Sequence, residues 1–205
     1  MHIEYLGIPG SGKTFWKNKY LEQLQTDGKK FLDLSRHKDM PFWLKVFYKI
    51  AETILMQLPK YKRQTKNYEQ VCKGCKSEPK YLSYSLAYCI KDIVLASLLH
   101  DIFNGKKIYI NDEGQLHRLV FLSVQFGVSI DLLMPIYMQY CGNVKSIYVK
   151  TEVETAFANI RKRNRHVCPM DELSDKTLRE YESAYYESCE RLTDFLTDNF
   201  VKKEI

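Results

Sequence analysis

At 205 residues, 45% of them hydrophobic, the chain is long enough to bury about 70% of its unfolded surface as a single domain, so its core needs no disulfide or metal staple. A net charge of +6 suits anionic ligands but lacks the dense basic stripe of a nucleic-acid protein, and no nucleic acid is expected as a partner. Six cysteines are scattered at positions 72, 75, 89, 141, 168 and 189, with no secretory leader and no apolar run long enough to span a bilayer, a pattern that reads as thiols in a reducing cytoplasm.

The elements alternate along the chain without internal repeat. Ile3, Tyr5 and Leu6 predict a buried strand, and Trp16, Tyr20, Leu21 and Leu24 recur at helical spacing shortly after it. Thr26-Asp27-Gly28 stops that helix, and Lys30 to Leu34 predicts a second strand. Pro41 opens a helix with Trp43, Phe47, Ile50, Ala51, Ile54 and Leu58 on one face, ended by Pro59. From Lys60 to Lys80 periodicity is lost. A further helix runs through Leu82, Leu86, Ile90, Ile93, Val94, Leu98 and Ile102 and closes at Asn104-Gly105. Lys107 to Asn111 predicts the third strand, and the helical stretch behind it breaks near Gly127 and resumes from Ile130 to Cys141. Ser146 to Lys150 is the fourth strand, and Thr151 to Glu154 has the form of a capping box starting a helix through Val153, Ala156, Phe157 and Ile160. The last helix starts near Ser174, with Leu178, Tyr181, Tyr185, Leu192 and Phe195 inward, and Phe200 to Ile205 is a candidate edge strand.

Strands alternating with helices predict an α/β fold, a parallel sheet covered on both faces, in which ligands bind outside the carboxyl ends of the strands. The polar residues that directly follow strands are therefore the candidates. The first strand runs into Gly7-Ile8-Pro9-Gly10-Ser11-Gly12-Lys13-Thr14, a complete G-x-x-x-x-G-K-[ST] match with a strand before it and a helix after it. Gly7, Gly10 and Gly12 permit a tight turn whose N–H groups point inward, with Pro9 and Ser11 completing the loop. Lys13 supplies a point charge for the β/γ-phosphates of a nucleoside triphosphate, and the Thr14 hydroxyl suits Mg²⁺. Ile108 to Asn111 ends in the paired carboxylates Asp112 and Glu113, the form of a Walker B segment: Asp112 is expected to hold Mg²⁺, while Glu113 can orient or deprotonate a nucleophile. The second strand delivers Asp33, with Ser35 and Arg36 behind it, to the same rim.

Ile160-Arg161-Lys162-Arg163-Asn164-Arg165-His166 ends a helix with four permanently cationic residues. Two readings apply: favourable charge at a helix C-terminus, or a lid over residues 161–173 whose Arg161 and Arg165, one turn apart, close over the phosphates. Lys60, Lys62, Arg63, Lys66, Lys73, Lys76 and Lys80 face only Glu69 and Glu78 beside a helix bearing Phe42, Trp43, Phe47 and Tyr48. That segment reads either as a solvated basic loop or as the approach to an anionic or lipid-linked acceptor at a membrane surface. Cys72 and Cys75 form a lone C-x-x-C without a second ligand pair, and no metal is assigned to them.

In order and spacing, the phosphate loop, the Asp112-Glu113-Gly114 strand end and the helix ending in Arg161 to Arg165 resemble the thymidylate-kinase-like branch of P-loop kinases, which includes nucleoside and nucleotide kinases. The sequence is especially similar to small kinase-like proteins of bacterial surface-polysaccharide gene clusters. The resemblance spans nearly the whole chain. It implies a three-layer α/β/α P-loop fold with sheet order 2-3-1-4, a fifth edge strand as an option, and an acceptor-side insertion over residues 41–82. It also implies ATP with Mg²⁺, γ-phosphoryl transfer, Lys13, Thr14 and Asp112 as phosphate and metal ligands, and Arg161 and Arg165 as lid residues. Asp33 lies where nucleoside kinases carry a general-base carboxylate, and a turn-forming Asp is the other reading. The thymidylate kinases' Asp-Arg pair is here Asp112-Glu113 and their Arg-Glu-Pro is Asp33-Leu34-Ser35-Arg36, so thymidylate is not implied as substrate.

Among other classes, a regulatory GTPase needs an N-K-x-D segment beyond the first helix, and Asn18-Lys19-Tyr20-Leu21 lies on that helix. A hydrolytic ATPase suits the Asp112-Glu113 pair, and a module that only binds or senses nucleotide suits the loop alone.

Overall fold

Four short runs rich in β-branched and aromatic residues form strands: His2–Leu6 (β1), Phe31–Asp33 (β2), Ile108–Asn111 (β3) and Val144–Tyr148 (β4). They pair in parallel in the order β2-β3-β1-β4, with Ile3 opposite Ile110, Asp33 opposite Ile110 and Leu6 opposite Tyr148. The computed structural model describes residues 1–33, 53–75, 78–103, 108–140, 144–163 and 168–199, with positions 42, 46, 49 and 50 besides. Among the described residues the α-helices are Lys13–Thr26 (α1), Pro59–Val71 (α2), Leu86–Phe103 (α3), Gln115–Phe126 (α4), Ile130–Tyr140 (α5), Val153–Arg163 (α6) and Asp175–Asn199 (α7). No helix among the described residues is long and apolar enough to cross a membrane.

Alternation along β1 divides the core. Ile3 and Tyr5 pack with Ile110 and Leu24 on the α1 face, while Leu6 joins the larger cluster of Leu119, Leu133, Phe157 and Tyr185 on the other face. The expected α/β architecture and strand order are therefore present. The candidate strand at 200–205, the loop residues Ser35 and Arg36, and most of the helix expected over 41–58 lie outside the described residues.

Several local expectations differ. Residues 59–71 form a helix, with Pro59 starting it at the first helical position instead of ending the one before. Its inward face is Tyr61, Gln64 and Tyr68, too polar for its period to register as hydrophobic. Leu82 precedes α3, because the backbone N–H groups of Tyr81 and Leu82 donate to Gln125 Oε1 at 3.1 and 3.0 Å. Trp16 is half-exposed while Lys17 is fully buried, so α1 presents cations inward at its start. Ile50, Ile54 and Leu58, read as an inward face, are exposed.

One buried carboxylate fixes the turn after β3. Glu4, in the middle of β1, accepts hydrogen bonds from the backbone N–H groups of Gln115 and Leu116 at 2.9 and 2.8 Å, capping α4. A Cβ at Gly114 would lie 2.2 Å from Glu4 Cδ, so only glycine admits this approach. Gly114→Ala is expected to displace the cap and lower stability by about 2 kcal/mol or more, read as a lower urea midpoint.

Candidate active site

Glycines let the loop between β1 and α1 press against the backbone of its neighbours. Gly10 has φ +81° and a Cβ there would stand 2.4 Å from the Ala156 carbonyl oxygen, and at Gly7 it would meet the Val149 carbonyl at 2.7 Å. Flanking side chains brace the loop: Asn159 Nδ2 donates to the Gly10 carbonyl at 3.0 Å, and Thr151 Oγ1 to the Ser11 carbonyl at 3.2 Å. Thr151 thus serves the loop, where a capping box was expected. Ser11 Oγ is buried without a hydrogen-bond partner. Lys13 Nζ donates to the carbonyls of Gly7 and Ile8 at 2.7 and 2.9 Å. Burial lowers the Lys13 pKa from its ordinary value, against the opposing pull of Cys189, Asp112, Glu182 and Glu113. An orphaned hydroxyl and an inward ammonium on a glycine-rich loop at a helix start fit a phosphate group.

Three strand ends converge on this loop. Thr14 Oγ1 donates to Asp112 Oδ2 at 2.8 Å, so the two hard oxygens expected to hold Mg²⁺ are neighbours, and the pair fits that ion. Asp112 is buried and Glu113 exposed, with the Glu113 backbone N–H held by Asn111 Oδ1 at 2.9 Å. Arg118 binds both Asp92 and the Glu113 carbonyl. Asp33, at the end of β2, accepts from Lys17 Nζ at 3.1 and 3.0 Å, and the same ammonium lies 3.4 Å from Asp112 Oδ1. The sequence reading missed Lys17, although it sits one turn after Lys13 on the loop's side of the helix.

At the lid, Arg161 is occupied. Its guanidinium reaches Asp175 Oδ1 at 2.9 Å and the carbonyls of Asp171 and Leu173, folding residues 171–175 back onto α6. Arg165 lies outside the described residues. On α7, Glu182 is fully buried, both its oxygens lack a hydrogen-bond partner, and burial pushes its pKa up to about 8 against the pull of Lys13 and Arg163. Its signal in the sequence is a carboxylate one position after the inward Tyr181. His117 hydrogen-bonds with the Tyr185 hydroxyl, and desolvation, with Lys13 and Arg118 nearby, keeps the imidazole well below its ordinary pKa.

The basic segment divides. Lys60 is paired with Asp101, whereas Lys62, Lys66, Lys49 and Lys91 line a cleft of about 740 Å³ together with Glu69. Lys13, Asp33, Asp112 and Glu113 do not line it.

Among solved structures, the chain is similar to the structure of deoxyadenosine kinase from M. mycoides with bound dATP, with a TM-score of 0.52 at 16% sequence identity, covering 100% of this chain and 90% of that one. No family model and no curated protein matches the chain. The likeness is one of fold, an α/β architecture built on a parallel sheet.

Glu182 supplies a pH test of this site. Its pKa of about 8 in the folded chain lies above the ordinary 4.5, so between those values the folded protein keeps a proton that the unfolded chain has released. Stability from this group is therefore full below pH 4.5 and falls as pH rises towards 8. Glu182→Gln should match wild type near pH 4.5 and melt at a higher temperature at pH 8, a gain of a few kcal/mol in differential scanning calorimetry.

Proposed function

We propose that the chain is an ATP-dependent phosphotransferase that moves the γ-phosphoryl group to a nucleoside-type acceptor. The observation that carries this reading is the 2.8 Å contact between Thr14 and Asp112 beside Lys13, a donor set suited to a metal-bound triphosphate. The acceptor class is supported by the fold shared with a deoxyadenosine kinase.

Thr14 and Asp112 would hold Mg²⁺, which would supply positive charge to the phosphates when bound. Lys13 exchanges the Gly7 and Ile8 carbonyls for phosphate oxygens, and the N–H groups at the start of α1 donate to the same anion. Because phosphoryl transfer through a loose transition state is governed by position and charge, Asp33 acts by accepting a hydrogen bond from the acceptor hydroxyl and orienting it. Glu113 offers a second, exposed carboxylate on the same rim. Arg163, at the end of α6 near Glu182, adds positive charge on this side of the site, while Arg161 ties residues 171–175 to α6. The separate lysine-lined cleft, which none of Lys13, Asp33, Asp112 and Glu113 lines, offers Lys62 and Lys66 to an anionic group on a part of the acceptor that extends away from Asp33. The exposure of Glu113 favours one second reading, hydrolysis, with this carboxylate orienting water.

ADP formation with purified protein separates these readings. Formation only on addition of a nucleoside or nucleoside monophosphate marks the kinase, and formation without acceptor marks the hydrolase. Lys13→Ala should lower turnover about 10²–10³-fold while its melting transition stays cooperative. Wild-type turnover in that variant would overturn the reading.

The anionic acceptor has its own test. Lys62→Gln with Lys66→Gln should raise the KM for a nucleoside monophosphate and flatten its salt dependence, leaving the KM for ATP unchanged. Unaltered KM values at low and high salt would reduce this cleft to a solvated surface.

A further inference from the structure

Lys17 is the most thoroughly buried cation of the site, with no side-chain exposure, and its three ammonium protons meet three carboxylate oxygens. Two belong to Asp33, at 3.1 and 3.0 Å, and one to Asp112, at 3.4 Å. These carboxylates come from the ends of adjacent strands, β2 and β3, and the remaining oxygen of Asp112 faces Thr14 at 2.8 Å. Two acidic groups this close, largely withdrawn from water, require a cation between them. Carboxylate oxygens so arranged are also hard ligands of the kind that collect divalent ions, and phosphoryl-transfer sites use either one such ion or two.

We infer that Lys17 is a tethered cation standing where a second divalent ion would otherwise bind, restricting the site to a single metal at Thr14 and Asp112 and positioning Asp33 beside it. The inference rests on the phosphotransferase reading for the presence of that one metal. A covalently fixed charge has consequences that an ion lacks. It offsets one of the two negative charges of Asp33 and Asp112 at every metal concentration, and it leaves the Thr14 side of Asp112 open to an exchangeable ion. Lys17 touches neither phosphate nor acceptor in this role and is a positioning residue.

The experiment counts metal directly. Mn²⁺ bound per chain is measured by electron paramagnetic resonance with a non-hydrolysable ATP analogue, for wild type, Lys17→Met and Lys17→Arg. The expected counts are one for wild type, two for Lys17→Met and one for Lys17→Arg, which retains the charge. In parallel, the Mg²⁺ concentration for half-maximal rate in Lys17→Met should shift by about tenfold or more. A merely structural lysine would not add a metal. One Mn²⁺ in Lys17→Met with an unshifted Mg²⁺ requirement overturns the inference and leaves the phosphotransferase reading standing. Two Mn²⁺ in wild type also overturn it, without need of a variant. No Mn²⁺ in wild type with the analogue present overturns the phosphotransferase reading and this inference together.

Discussion

The geometry of the candidate site depends on a carboxylate that lies beneath it. Glu4 occupies the central strand, where a polar side chain is costly unless every lone pair is used. Burial pushes its pKa up, but the nearby His2 and the N–H groups of Leu116 and Gln115 outweigh that effect, and the net shift is downward. The negative charge then sits at the positive end of α4. Because Glu4 is opposite Asn111 in the β1–β3 ladder, this cap holds the turn carrying Asp112 and Glu113 at a fixed offset from the phosphate loop that leaves the same β1 strand. The core thus positions the site through one hydrogen-bonded ion, and the glycine at position 114 follows from the space that ion occupies.

Helix α1 resolves a conflict between packing and chemistry along its length. Its first turns direct Lys13 and Lys17 inward, so that end buries charge where a core helix would bury apolar side chains. Buried ions are tolerated where partners are complete. Lys13 has two loop carbonyls, and Lys17 has Asp33 and Asp112. Hydrophobic attachment is left to the second half, where Leu24 is buried against Ile3, Tyr5 and Ile110, with Tyr20 and Leu21 alongside. Trp16 and Phe15 remain exposed as a result, because their positions face away from both functions.

The loop and the order of elements were legible in the sequence because each is imposed by the backbone. Glycines at 7 and 10 reflect where Cβ atoms cannot go, Gly12 has a positive φ that L side chains rarely adopt, and a strand followed by a crossover helix gives parallel pairing. Helix α2 was illegible for a physical reason: its inward face of Tyr61, Gln64 and Tyr68 is buried yet weakly hydrophobic, between solvent-facing lysines. Thr151 has a second task that its place at a helix start does not reveal, since its hydroxyl donates to the Ser11 carbonyl across the fold. Lys17 and Glu182 escaped because their significance lies in contacts between elements distant in sequence. The lid bet on Arg161 met a third difficulty, in that spacing identifies a cation at a helix end without identifying its partners. Here Asp171, Leu173 and Asp175 supply them.

The wall that α7 presents to the loop has a property of its own. Glu182 is pushed up to about 8 and Cys189 to about 12, chiefly by burial, and the neighbouring His117 is held neutral. At neutral pH, therefore, the carboxyl is mostly protonated, the thiol keeps its proton, and the imidazole carries no charge. A triphosphate in the loop would meet Lys13 and the backbone N–H groups from one side and an uncharged surface from the α7 side. A fixed carboxylate there would oppose the phosphates through a medium that screens poorly. Burial prevents that opposition by holding the proton on. The same desolvation strengthens the attraction between Lys13 and an incoming anion, so the burial that disfavours the lysine's charge in the free loop makes that charge more effective once a phosphate shares the site.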